Sequence, residues 1–377
     1  MSDWSVEIDF LTRKLGLGAA NAVRAIRSAV DNDPFEIVAY RGYGNGVTAH
    51  VYGRVVERSG VTASSDADTA IGNLLNTYRR VEADPLPRAD VNVTFGGTST
   101  AMTSDSDGFF GGWLTSEQPE LSEEWHAYDA ELVTRTTGIA DPVKGSGQVL
   151  VPPKSAQFGV ISDIDDTVIQ SRVSNFIQAA RMIMLGNART RLPFHGVAAF
   201  YRALRSGPSG NENNPVFYVS SSPWNIYDVI SEFMELQDIP KGPLLLRDWD
   251  LSLGALSSAR HYEHKTVAIR NVMQLYPDMK FVLIGDTSQH DPEIYRQIVS
   301  EFPERVSTIY IRDVTMRANR SAAIQKLAEE VKKANATLVL SEDTLGAAKH
   351  AIEHGFIAPE TLKDIGEEKR EDEGSAS

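Results

Sequence analysis

Cysteine is absent from this chain of 377 residues, which excludes disulfides, thiol nucleophiles and thiolate metal sites. Positive charge is also scarce: 37 Lys and Arg stand against 51 Asp and Glu, a formal charge of −14. Nonspecific nucleic-acid binding rests on a basic footprint, so this deficit argues against nucleic acid as a partner. No apolar run is long enough to span a bilayer, and the stretch beginning Met1-Ser-Asp-Trp4 lacks a signal-peptide pattern. These absences predict a soluble, cytoplasmic protein. No internal repeat is evident, and the length suits two domains with cores of ordinary size.

Residues 1–34 suggest one amphipathic helix, with Trp4, Ile8, Leu11, Leu15 and Leu17 on its apolar side and Arg13, Lys14, Arg24 and Arg27 on a basic one. Such a helix usually docks on its own domain; it can also lie on an anionic membrane. From Phe35 to Val151 the pattern turns to β. Segments 35–40, 47–56, 90–95, 108–114 and 125–133 read as strands, with Gly42, Gly44 and Gly46 marking a turn. A helical insertion is expected after Ser65, through Ile71, Leu74, Leu75 and Tyr78. Short alternating strands with glycine-rich turns predict a β-sandwich-like N-terminal domain. Its segment Thr103-Ser-Asp-Ser-Asp-Gly-Phe109 reads as a polar hairpin turn, since the acids do not complete an EF-hand loop. Nothing in this domain suggests catalysis, so packing, substrate presentation or partner binding is its expected role.

From Pro152 strands and helices alternate up to Ile357, which predicts an α/β domain built on a doubly wound parallel sheet. Expected elements include a helix over 227–236, strands over 243–247 and 307–311, a helix over 321–334, an edge-type strand over 336–340 and a last helix over 345–354. The remainder, 358–377, is acidic and is expected to be a disordered tail.

The chemistry concentrates at the start of this second domain. Phe158-Gly-Val-Ile-Ser-Asp-Ile-Asp-Asp-Thr-Val168 reads as a buried strand ending in Asp163, Asp165, Asp166 and Thr167. Open α/β sheets place ligands at strand carboxyl ends. Carboxylates this close need a cation or a proton to be tolerated when buried, and hard oxygen ligands suit Mg²⁺. Two further buried runs end in chemistry-bearing residues. Val216–Val219 closes on Ser220-Ser221-Ser222-Pro223-Trp224, and Phe281–Ile284 ends in Gly285-Asp286-Thr287-Ser288-Gln289-His290-Asp291. Between them Lys265 opens an expected amphipathic helix carrying Val267, Ile269, Val272, Met273 and Leu275; Lys241, in a Pro-Lys-Gly-Pro turn, is its rival. Asp291-Pro292-Glu293 has the form of a helix N-terminus with Asp291 as N-cap.

Strand–DxDxT, strand–Ser, Lys and strand–GDxxxxD, in that order, resemble the four motifs of the haloacid dehalogenase (HAD) superfamily of phosphohydrolases. Ser162–Val168, Tyr218–Asn225 and Leu283–Asp291 look further like the catalytic domain of the actin-patch-associated phosphatidate phosphatases, relatives of the lipins. The resemblance covers roughly 152–312. It implies a HAD-like domain with a minimal cap over 152–357. It also implies Mg²⁺-dependent hydrolysis of a phosphomonoester through an aspartyl-phosphate, with phosphatidate giving diacylglycerol as the leading substrate. By resemblance Asp163 is the nucleophile and Asp165 the general acid–base. Asp163, Asp165 and Asp286 would hold Mg²⁺, with Asp291 supporting them. Ser220, Ser221 and Lys265 would bind the phosphoryl group, and Thr167 would bond the nucleophile or its loop.

About fifty residues separate the first two motifs, room for a helix or two but not a cap domain. An open site suits a bulky substrate such as a lipid headgroup at a membrane surface. The apolar stretch Ser174–Leu185, with Arg172, Arg181, Arg189 and Arg191 near it, fits either a peripheral membrane contact or an ordinary core helix. A phosphatase of a soluble phosphoester or phosphoprotein would use the same motifs. A lipid-binding module without turnover is the remaining alternative, and retention of both Asp163 and Asp165 argues against it.

Overall fold

The computed structural model describes residues 35–57, 84–117, 123–133, 142–164, 196–247, 258–314 and 318–374. The helices expected within 1–34 and after Ser65, the apolar stretch 174–185, and Asp165, Asp166 and Thr167 lie outside the described residues. Among the described residues no helix is long and apolar enough to cross a membrane.

The first half is built of strands β1 (Phe35–Ala39), β2 (Gly42–Gly44), β3 (Thr48–Glu57), β4 (Asp90–Phe95), β5 (Thr98–Thr103), β6 (Phe109–Thr115), β7 (Trp125–Leu132) and β8 (Lys144–Leu150). Hydrogen bonds join them into one eight-stranded sheet, with β2 linking the antiparallel β3 to a parallel β8. The sandwich expected from the alternation is thus one continuous sheet that closes over its own core, bringing β6 against β4 and β5. Val51, Val55, Val91, Val93, Phe95, Phe110 and Leu114 fill the inside. The turn after Thr103 is a side-chain-capped hairpin turn: Asp105 Oδ1 accepts the N–H groups of Asp107 and Phe109 at 2.8 and 2.9 Å.

Three strands were not legible in the sequence. β5 is polar, with alternate residues exposed, because it lies at the sheet's edge and has one face in water. β8 contains two glycines and little apolar alternation, yet Gly147 sits inside the ladder. A Cβ there would lie 2.3 Å from the Tyr128 ring, so the missing side chain makes room for tyrosine across the strand pair. Gly42–Gly44, expected as a turn, forms β2 for lack of side chains that would strike β3.

The second half follows the order β9 (Phe158–Asp163), α1 (Val197–Ser206), β10 (Val216–Pro223), a 3₁₀ turn (Trp224–Ile226), α2 (Tyr227–Leu236), β11 (Leu244–Arg247), α3 (Ser258–Leu275), β12 (Lys280–Asp286), α4 (Asp291–Glu301), β13 (Val306–Arg312), α5 (Ala318–Lys332), β14 (Thr337–Ser341), α6 (Thr344–Glu353) and α7 (Thr361–Gly374). Six strands, all parallel, lie in the order β11-β10-β9-β12-β13-β14. Counted from β9 this is 3-2-1-4-5-6, the doubly wound order, with its switch point between β9 and β12. Side chains alternate between two covered faces. Val160, Tyr218, Val282 and Tyr310 meet α1, α2, α6 and α7; Ile161, Phe217, Leu283 and Ile309 meet α3, α4 and α5. Burial on both faces explains the unbroken apolar runs in the sequence.

The expected disordered tail is corrected over 361–374, which forms α7. Composition gave the wrong answer because a few contacts suffice to anchor the acidic segment. Ile365 is fully buried, Glu368 bonds Arg202 at 2.5 Å and accepts the Ala199 N–H at 2.9 Å, and Lys369 bonds Asp343 at 2.6 Å.

The two halves share a packed boundary. Tyr43 meets Phe217 edge-on at 6.0 Å, and Tyr276 donates its hydroxyl to the Gly44 carbonyl at 2.9 Å. Arg205 forks onto Glu124 at 2.6 and 2.7 Å. Trp224, at the end of the serine motif, stacks on Tyr40 at 5.2 Å and lies 4.6 Å from Tyr52.

Candidate active site

Asp163 is the last residue of β9 and Asp286 the last of β12, so the two carboxylates flank the switch point of the sheet. Parallel register places Asp163 beside Val219, and therefore next to the start of the serine motif at Ser220. Asp291 comes from the first turn of α4 and Lys265 from the middle of α3. All four are buried.

The ammonium of Lys265 bridges two carboxylates, 2.6 Å from Asp163 Oδ1 and 2.7 Å from Asp291 Oδ1, and reaches Gln289 Oε1 at 3.2 Å. The other oxygen of Asp291 accepts the Asp286 N–H at 3.2 Å, and one oxygen of Asp286 accepts the Ser288 N–H. One oxygen from each of Asp163, Asp286 and Asp291 lies within 4.8 Å of the others. Among the described residues, three buried carboxylates gather around one ammonium, an excess of negative charge. Its mark is on Asp286, whose pKa is pushed up to about 7 by burial and then by the charge of Asp291. A hard divalent cation fits this donor set, because it would neutralise the excess that otherwise requires a proton.

Two sequence expectations are corrected here. Lys265 does not open its helix: α3 begins at Ser258, because the intervening Ser-Ala-Arg-His-Tyr-Glu-His contains no breaker. Asp291 is not the N-cap. His290 holds that position, and the Asp291 carboxylate is turned to Lys265 and the Asp286 N–H instead. Lys241, the rival lysine, lies away from the cluster, bonded to Gln148 and over the Trp125 ring at 4.2 Å.

Ser220 is fully buried, and its Oγ accepts the Ser222 N–H at 2.9 Å, which curls the chain at the strand end. Ser221 is partly exposed beside it. Asp165 and Thr167 lie outside the described residues, so the cluster here comprises Asp163, Lys265, Asp286 and Asp291, with Ser220 on the adjoining strand.

Several supporting residues were missed by motif reading. Arg320, from α5, holds the loop after β12: it donates to the carbonyls of Thr287 and Gln289 at 3.3 and 2.8 Å and forks onto Glu293. Asp313 accepts the Thr287 hydroxyl at 3.2 Å and the Ser321 hydroxyl at 2.7 Å. Arg312 pairs in register with Asp286, and burial lowers its pKa to about 10. His264, next to Lys265, sits beside the backbone of Leu245 and Ser220; burial lowers its pKa to about 4 and keeps it neutral. None belongs to a motif: Arg312 ends β13 and Asp313 follows it, Arg320 stands on α5 and His264 on α3, and only the fold brings them to the site.

Comparison with known proteins covers the same region. A family model described as "Phosphatidate phosphatase APP1, catalytic domain" matches residues 158–313, from the start of β9 to just past β13. The phosphatidate phosphatase APP1 of Saccharomyces cerevisiae is 28% identical over 183 residues, 48% of this chain and 30% of its own length. An uncharacterized protein of Schizosaccharomyces pombe is 34% identical over 165 residues, 42% of this chain and 25% of its own. The chain therefore spans about a third or less of the length of these curated relatives. A solved carbohydrate acetylesterase from Xanthomonas citri aligns with 12% identity over 78% of this chain and 72% of its own, at a TM-score of 0.22 that supports no shared fold. The buried carboxylates, the lysine and the serine strand all lie inside the matched segment, so it is residues 158–313 that resemble the catalytic domain of the APP1-like phosphatidate phosphatases.

Proposed function

We propose that this protein is a Mg²⁺-dependent, HAD-type phosphomonoester hydrolase that acts on phosphatidate to give diacylglycerol and phosphate. The observation that carries the reading is the buried cluster of Asp163, Asp286 and Asp291 around Lys265 at the sheet's switch point, within the segment that matches the family. A cation held by Asp163 and Asp286, with the backbone of Asp165 and support from Asp291, would offset the repulsion between an anionic nucleophile and an anionic phosphate.

The chain's own residues do the rest. A carboxylate oxygen of Asp163 attacks phosphorus as the bond to the leaving oxygen breaks, giving an aspartyl-phosphate. Asp165 gives a proton to the departing alkoxide and then takes one from the water that attacks phosphorus and frees Asp163. Ser220, Ser221 and neighbouring backbone N–H groups hold the phosphoryl oxygens, and Thr167 steadies the nucleophile loop. Lys265 balances the charge that passes between Asp163 and the phosphoryl group. The site is buried at its base, and the described residues add no separate cap domain over it, which suits a bulky lipid headgroup presented at a membrane surface.

The deciding experiment measures phosphate release from phosphatidate in mixed micelles and from a panel of soluble phosphoesters, with Mg²⁺ and with excess chelator. Faster, Mg²⁺-dependent release from phosphatidate is expected. Turnover of soluble esters alone would overturn the lipid substrate, and full activity in chelator would overturn the metal.

A further inference from the structure

A second cavity, apart from the carboxylate cluster, lies where the two halves of the chain meet. Strands β3 and β6 pair so that His50 faces Trp113, Tyr52 faces Gly111 and Arg54 faces Phe109. These residues stand on the sheet face opposite Val51, Val55, Phe110 and Leu114, which fill the core. Trp224 approaches the same face from the serine motif, between Tyr40 and Tyr52. The cavity between them measures about 250 Å³ and is lined chiefly by His50, Tyr52, Asp105, Phe109, Gly111 and Trp224, with Gly53 and Phe110 also at its wall.

Its floor is a missing side chain: a Cβ at Gly111 would lie 2.7 Å from the Tyr52 ring. His50 is buried among the rings of Tyr52 at 4.5 Å and Trp113 at 4.4 Å, and its Nδ1 has no hydrogen-bond partner among the described residues. Burial lowers its pKa to about 4, so the imidazole is neutral. Asp105 uses Oδ1 for its turn, which leaves Oδ2 outside the turn's hydrogen bonds.

Charge decides what such a cavity takes. A quaternary ammonium would seek aromatic faces and a carboxylate. Here, however, the Arg54 guanidinium already lies 4.9 Å from the Phe109 centroid, so a second cation is repelled. An anion meets Asp105, and Arg54 is outside the lining, its guanidinium held by the Asp107 carbonyl and the Phe109 ring. An acyl chain would leave the carboxylate and the imidazole without partners. The lining accepts hydrogen bonds and offers ring faces to C–H groups, a combination that matches a ligand rich in hydroxyls. At about 30 Å³ for each water in the liquid, the volume corresponds to roughly eight waters, the scale of one sugar ring.

We propose that this junction cavity binds an uncharged, hydroxyl-rich group, a monosaccharide ring or equivalent polyol, carried by a neutral glycolipid headgroup or by a free sugar. Trp113, 44% exposed and in edge contact with His50, stands at its border as a further ring surface. Because Trp224 belongs to the serine motif, occupancy would also be felt at the strand end that carries Ser220.

The test uses the full chain and does not depend on turnover. Calorimetric titration with methyl glucoside, myo-inositol, choline and acetate separates the ligand classes. Co-sedimentation with phosphatidylcholine vesicles, with and without a monoglucosyl diacylglycerol, separates the sources. Saturable binding of a neutral polyol, and no binding of choline or acetate, is expected. A gain on glycolipid vesicles that free sugar reverses would assign the lipid source; polyol binding without that gain would assign the free sugar. Asp105→Asn keeps the turn's acceptor, and His50→Gln keeps a polar group; each should weaken binding at least about tenfold, the value of one hydrogen bond of ~1.4 kcal/mol, with the circular-dichroism spectrum and soluble-ester hydrolysis unchanged. The proposal is overturned if no polyol binds in solution or on vesicles, if choline binds more tightly, or if binding survives in both variants.

Discussion

Replacing Lys265 by methionine tests the electrostatics of the carboxylate cluster directly. The ammonium is 2.6 Å from Asp163 and 2.7 Å from Asp291, and its side chain is only 3% exposed. Methionine retains an unbranched chain and removes the charge and its donors. Asp163 and Asp291 then lose their shared cation while Asp286 stays beside them. Breaking a buried ion pair by removing one partner costs about 3–5 kcal/mol, because the other charge is stranded. Carboxylates can escape that cost by taking up protons, so the loss should be small near pH 5 and full near pH 8. With a urea slope near 3 kcal/mol/M, the full loss lowers the midpoint by roughly 1–1.7 M. Urea titration of the metal-free wild type and variant at both pH values, read by circular dichroism, measures it; added Mg²⁺ should restore part of the loss. A variant midpoint matching wild type at both pH values would show that Lys265 does not compensate buried charge, and the reasoning would fail.

Asp163→Asn should reduce phosphate release to background with the fold intact, since an amide cannot form the aspartyl-phosphate; substantial residual turnover would end the covalent route. The raised pKa of Asp286, about 7 when folded against 3.8 ordinarily, means that the native state holds a proton the unfolded chain has already lost. Metal-free stability should therefore fall as pH rises from about 4 to about 7, and Mg²⁺ affinity should rise over the upper part of that window. Asp286→Asn should flatten both profiles, and calorimetry that finds the slopes unchanged would remove Asp286 from them. Tyr128→Phe deletes a buried hydroxyl 2.7 Å from the carbonyls of Tyr40 and Tyr52, and should cost about 1–3 kcal/mol in urea unfolding. Ile365→Ala should cost about 2–4 kcal/mol if α7 is docked as described, whereas no change would restore the disordered tail.

Much of the second half was legible because a parallel sheet covered on both faces writes itself as short apolar runs. Phe158–Ile161, Val216–Val219 and Phe281–Ile284 each mark a strand, and each is followed at once by its polar residues. The helix over 227–236 was bounded as found, and the elements from β13 to α6 fell within a few residues of their observed ends. The strands of the first half were clear where one face is buried, as in β4 with alternation from Val91 to Phe95, and invisible where neither face signals burial, as in β5 and β8.

Local sequence determined the candidate residues: acids and a serine placed directly after buried strands, and a lysine on a helix between them. It could not determine which of these meet, because Asp163, Lys265, Asp286 and Asp291 are separated by up to 128 positions and converge only through strand order and register. Tertiary structure alone decided that Lys265 bridges two carboxylates, that Arg320 and Asp313 hold the loop beneath them, and that an acidic tail segment becomes a docked helix. It also set Trp224 of the serine motif against Tyr40 and Tyr52, and so gave the β half a shared wall with the half that carries the carboxylate cluster. The physical reason is one of range. Apolar periodicity and strand-end polarity are read within a few residues of chain, whereas burial of charge, pKa and the pairing of distant aromatic rings depend on which surfaces the folded chain brings together.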